Sequence, residues 1–148
     1  MPGLRSFADV EGREVKRAKR PNAQRKTTPA ALKRKADALA GAIVRARGAC
    51  ESGRDTHAGP LQWAHGFSRT YRAVRWDLRN GFCLCAACHY FYTLRPIEWD
   101  EWLRYRLGFA YDDLRRRALA GEKRPMEDVV SELAGMTIER APFDIEQV

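Results

Sequence analysis

No run of apolar residues in this chain of 148 residues is long enough to cross a membrane, and no apolar stretch opens it. A spanning helix is excluded and no export signal is visible, so a cytoplasmic address is expected. Cysteine is scarce, with four residues, and histidine scarcer, with three. In a reducing compartment so few thiols do not build a disulfide framework. Excess charge is missing from the later part of the chain, where residues 59–148 carry 13 Lys and Arg against 13 Asp and Glu. No internal repeat is visible.

What is present is concentrated. Three of the four cysteines and one histidine fall within seven positions of "NGFCLCAACHYFY", residues 80–92. The whole formal charge of +8 sits in residues 1–58, with 14 basic residues against 6 acidic. Its densest part, "REVKRAKRPNAQRK", contains Lys16, Arg17, Lys19 and Arg20. Such an arm suits a polyanion, and nucleic acid is the usual candidate.

Residues 1–28 hold few large apolar side chains and several helix breakers, and read as a flexible basic arm. Thr28 then caps a helix that opens with Pro29 and repeats Leu32, Ala36, Leu39, Ala40, Ile43 and Val44 at helical spacing, ending before Gly48. Residues 50–60 form a loop, and "LQWAH" and "FCLC" read as two short strands that could pair. A helix follows from Ala86 to about Leu94, stopped by Pro96. Further helices are expected near 97–107, 111–120 and 126–134. The organisation is an arm at 1–28, a helix plus core at 29–95, and a helical extension at 96–148, in a small α+β fold.

Zinc takes four soft or borderline ligands, and Cys-x-x-Cys brings two of them to one ion. Cys85 and Cys88 have that spacing, and Cys50 stands where a second pair would begin. Its partner position is Gly53, so the fourth ligand is open. His57 is preferred because it shares the Cys50 loop; Cys83, Asp55 or water are the alternatives, as is no stable zinc. Cys83 shares a strand face with Cys85 by i, i+2 alternation, yet cysteine also serves as a small buried apolar residue.

Outside the cysteines, His65 ends the first strand, Asn80 precedes the second, and His89 follows Cys88. Paired strands and a zinc-pinned helix would bring all three to one face. A neutral histidine can act as general base towards water. A second can hold a divalent ion that stabilises charge on a phosphate. An amide can orient a base. Between His65 and Asn80, Arg69, Arg72, Arg75 and Arg79 alternate with Phe67, Tyr71 and Trp76. Arginines suit phosphate contacts, and aromatics either support the loop or stack on an unpaired base.

"LQWAH" followed by "NGFCLCAACH" resembles the HNH nucleases, which have a zinc-stabilised ββα-metal core. More loosely, the wider arrangement resembles the phage Nin-region recombination endonucleases (Rap- and NinG-like). The first resemblance covers roughly residues 43–95. It implies that His65 activates water, that His89 holds a catalytic Mg²⁺ or Mn²⁺, and that Asn80 positions or orients. It also implies that Cys50, Cys85 and Cys88 hold structural zinc. The implied partner is DNA, branched if the looser resemblance holds. A homodimer is expected if both strands are cut, and the address would be host cytoplasm for a phage protein. Two departures stand out. Position 53 is not cysteine, and Ala64 stands where many HNH enzymes carry an acidic metal ligand. Asp77 is the candidate replacement from the loop. The alternative expectation is a zinc-stabilised DNA-binding protein without useful cleavage.

Overall fold

A computed structural model describes residues 27–136 of the chain. Lys16, Arg17, Lys19 and Arg20 lie outside the described residues. Helix α1 spans Pro29–Arg45, strand β1 Leu61–His65, strand β2 Gly81–Cys85 and helix α2 Ala86–Thr93. Helices α3 (Pro96–Leu107), α4 (Phe109–Ala120) and α5 (Met126–Gly135) complete an α+β fold with one two-stranded sheet among the described residues.

Each element follows from local chemistry. The Thr28 hydroxyl accepts a hydrogen bond from the Ala31 amide at 3.2 Å, and Pro29 supplies a preset φ where no amide is needed. The expected apolar stripe of α1 is buried at Leu32, Ala36, Ala40, Ile43 and Val44. The helix stops at Arg45, slightly before the glycine read as its end. Gly48 instead takes a left-handed φ of 78° in the turn beyond.

The strands pair antiparallel, with Leu61 opposite Cys85, Trp63 opposite Cys83 and His65 opposite Gly81. All five residues of β2 are buried, because both sheet faces are covered. Leu61, Trp63 and Cys83 pack towards α1 and α5, where Met126, Val129, Val130 and Leu133 repeat at helical spacing. Ala64, Phe82 and Leu84 face the opposite way, onto Tyr92, Leu103 and Tyr111. Phe82 meets Trp99 and Trp102 edge-on at 5.9 and 5.0 Å, a geometry favoured by the ring quadrupoles. A third cluster sets Ala73 and Val74 of the 66–77 loop against Leu114 and Ala118 of α4. The helices beyond residue 95 therefore wall the core, and they hold in place the loop that leads away from His65.

Candidate metal centre and histidine cleft

Cys50, His57, Cys85 and Cys88 bring their ligating atoms within 4.8 Å of one another. His57 Nδ1 lies 3.5 Å from Cys88 Sγ and 3.8 Å from Cys85 Sγ. Metal bonds of zinc length in a tetrahedron would put N and S about 3.6 Å apart and two sulfurs about 3.8 Å apart. The donor set therefore fits zinc, with the imidazole taking the place of the missing knuckle cysteine.

The surroundings favour thiolates. Cys85 is the N-cap of α2 and Cys88 lies in its first turn, where the helix dipole stabilises negative charge. Burial opposes ionisation of Cys85, but the amides of Cys88 and Ala58, the His57 ring and the Cys88 thiol outweigh it, and its pKa falls to about 6. Burial raises the Cys88 thiol, and the nearby Cys85 and Cys50 add to that against a hydrogen bond from Ser52. Crowded thiols that compete for charge are what a divalent cation would relieve.

Neither Cys83 nor Asp55 joins the cluster. Cys83 does alternate with Cys85 along β2, but Cys85 leaves the strand as a helix cap, while the Cys83 side chain is buried against α1 and α5. Two residues with no signal in the sequence complete the knuckle. Buried Ser52 donates to Cys88 Sγ at 3.2 Å, and its carbonyl accepts from the Tyr92 hydroxyl at 3.3 Å. Glu51 accepts from the Cys83 amide at 2.5 Å and pairs with Arg47 at 2.9 Å. Arg47 also donates to the carbonyls of Gly81 and Leu78. This nearly buried pair holds the Cys50 loop on β2.

His65 and His89 line the same two clefts. One, of about 200 Å³, is completed by Tyr92, Thr93, Pro96 and Trp99. The other, of about 510 Å³, is completed by Asp37, Trp63, Arg69 and Arg75. His65 rests on the Trp63 ring with centroids 4.2 Å apart, and its Nε2 is buried without a hydrogen-bond partner. Burial first, then the charge of Arg75, lowers its pKa to about 4, against a smaller upward pull from Asp37. The ring is neutral at physiological pH and has an unused nitrogen. Burial also lowers the His89 pKa. His89 Nδ1 lies 2.7 Å from Gln62 Oε1.

Asn80 is fully buried, and its side-chain hydrogen bonds all go to backbone rather than to the histidine rings. Its amide donates to the carbonyls of Phe67 and Val74, each at 3.0 Å, and its Oδ1 accepts from the Phe67 amide at 2.6 Å. The Asn80 carbonyl receives the Gly66 amide at 2.8 Å. Asn80 therefore pins the backbone just after His65, rather than orienting the imidazole by a direct bond. Gly66 is needed here, because a Cβ would come within 3.0 Å of Asn80 Oδ1, Leu103 and Phe82.

The four loop arginines divide into two pairs. Arg75 makes a two-pronged pair with Asp37, both bonds 2.9 Å, and Trp76 donates to the same carboxylate at 2.8 Å. Arg79 pairs with Asp77 at 2.8 Å and reaches Asp113 at 3.4 Å. Arg69 and Arg72 are exposed, and their guanidinium groups have no hydrogen-bond or ion-pair partner among the described residues. Trp76 is buried, so it supports the loop. Asp77 does not reach the histidine clefts, since Arg79 and Arg117 hold its carboxylate. Ala64 points into the apolar cluster with Phe82. The cysteine and histidine group is the one set of three or more such ligands found together among the described residues. A second ion at the clefts would thus have His89 as its protein donor. No helix among the described residues is long and apolar enough to cross a membrane.

Comparison with protein-family models, curated proteins and solved structures finds no match to this chain.

Proposed function

We propose that this protein is a metal-dependent DNA endonuclease of the HNH, ββα-metal type, with zinc in a structural role. The observation that carries the reading is the pairing of His65 and His89 in the walls of the same clefts. One comes from the end of β1, the other from the helix that the cysteine cluster pins to β2. His65, neutral and with an unpartnered Nε2, is the base towards water once that buried nitrogen is opened to the cleft, and it takes the proton as the water attacks phosphorus. A phosphate entering beside Arg69 and Arg75 would offset the positive field that depresses the His65 pKa, and so strengthen the base. His89 would donate through Nε2 to a Mg²⁺ or Mn²⁺ ion, whose remaining ligands would be phosphate and water. When bound, that ion would stabilise charge on the phosphate and leaving oxygens. Asn80 serves by fixing the loop that carries Arg69, which we assign to phosphate contact.

One observation favours a second reading, a DNA-binding protein that does not cut. Neither cleft offers a free carboxylate, since Asp37 is occupied by Arg75 and Trp76. The deciding experiment is cleavage of plasmid and of a labelled four-way junction, with Mg²⁺, Mn²⁺ or EDTA, by this protein and by His65→Ala. Metal-dependent cutting that falls by about 10² or more in the variant is expected, because loss of a general base costs that much. Equal DNA binding by both proteins, with no cutting under any metal, would leave the second reading standing. Preference for the junction over duplex would point to branched recombination intermediates.

A further inference from the structure

Helix α4 buries Tyr111, Leu114 and Ala118 on one side. Its opposite side carries a stripe of Phe109, Asp112, Arg116 and Leu119, all exposed. These positions are three, four and three residues apart, the spacing that lets one helix lie along another. Phe109 is fully exposed, more than any other large apolar side chain among the described residues, and Leu119 is 63% exposed. A single apolar side chain in water needs no explanation. Here two stand at the ends of one stripe, with an acidic and a basic residue between them. Asp112 makes no hydrogen bond or ion pair among the described residues. Arg116 reaches Asp113 at 2.6 Å while its side chain stays 71% exposed, and a guanidinium has donors left for a second carboxylate.

We propose that this stripe is the contact between two copies of the chain, paired antiparallel about a two-fold axis at the level of Leu114. That register sets position 109 against 119 and position 112 against 116. Phe109 then covers Leu119 of the second copy, and Asp112 meets its Arg116. The symmetry repeats both contacts, because a two-fold interface must be complementary to itself. Parallel pairing would instead set Asp112 against Asp112 and Arg116 against Arg116. An acidic start and a basic end also suit the helix dipole. That accounts for the order of the charges but not for the apolar residues that bracket them. Helix α4 is about 18 Å long, so one helix from each copy makes an interface at the small end of the range. A reversible dimer of micromolar or weaker affinity follows. The pairing does not depend on whether the protein cuts DNA.

The test is sedimentation velocity of the full-length, zinc-loaded protein, free of nucleic acid, from about 5 to about 500 µM, a span that brackets such an affinity. Wild type should move from monomer to dimer across that span. Phe109→Ser and Leu119→Glu should each raise the dissociation constant about 10-fold or more. Asp112→Arg alone and Arg116→Asp alone should both lose the dimer, since each sets like charges face to face. Their equimolar mixture should regain it, because the two basic residues of one chain then face the two acidic residues of the other. All four positions are exposed, so the variants should fold, which melting profiles check. The mixture also compares the same two chains apart and together, so folding cannot explain its result. A wild type that stays monomeric at every concentration would overturn the proposal and leave the stripe to a different protein. A dimer indifferent to all four substitutions would place the contact elsewhere and overturn it too. A mixture no stronger than its separate components would overturn the antiparallel register.

Discussion

A histidine that stays neutral well below its usual range has consequences for stability as well as for chemistry. His65 has a folded pKa of about 4, below its ordinary 6.5, because burial and the charge of Arg75 disfavour the imidazolium. As pH falls through 6.5 the unfolded chain takes up this proton first, so His65 contributes stability above 6.5 that is lost between about 6.5 and 4. Thermal melting of wild type should decline across that window, and His65→Gln should flatten the decline while keeping all four residues of the cysteine and histidine cluster. Parallel melting profiles would refute the assignment. The sequence could nominate His65 from its place at the end of a strand. Its neutrality could not be read there, because Arg75 is ten positions away and Asp37 lies on another element. Arg75 itself shows the same limit. Among loop arginines it looks like its neighbours, and only the fold shows that Asp37 already occupies it.

At the scale of elements, α2 is short, and its N-terminus carries two of the four clustered ligands. Isolated helices of this length do not persist in water, so packing on the sheet and the cysteine centre must hold it. We expect about one zinc per purified chain by elemental analysis. Cys88→Ser, or a strong chelator, should lower the melting temperature by on the order of 10 °C or more, since structural zinc contributes folding free energy directly. A zinc-free protein with unchanged melting would remove the metal from this account. Cys-x-x-Cys announced half of this centre, because that spacing is local. His57 is one preference among open alternatives, since the six residues between Cys50 and His57 can close in many ways. Ser52 and Glu51 carried no motif, and their roles arise only when the loop meets β2. The pairing of "LQWAH" with "FCLC" was legible for the opposite reason: apolar content and length bound both strands within a few residues.

For the whole molecule, the uneven charge governs how a polyanion would be met. Residues 1–26 carry eight basic side chains against three acidic ones, all ahead of the Thr28 cap. If the partner is DNA, deleting them should lower the salt dependence of log affinity by several units of slope, and Arg69→Ala should lower it by about one. Arg75→Ala should instead act mainly on stability, because it strands Asp37. Salt slopes unchanged by the deletion would separate the arm from binding. The sequence by itself determined what depends on near neighbours: the helix cap at Thr28, the apolar stripes of α1 and α5, the two strands, the Cys-x-x-Cys turn and the front-loaded charge. Tertiary structure alone decided which residue completes the cysteine centre, that Asn80 grips backbone rather than an imidazole, that Arg75 and Arg79 are spent on carboxylates, and that Gln62 reaches His89. Those outcomes depend on distances between segments far apart along the chain, and such distances are set by how α1, the sheet and the later helices pack together.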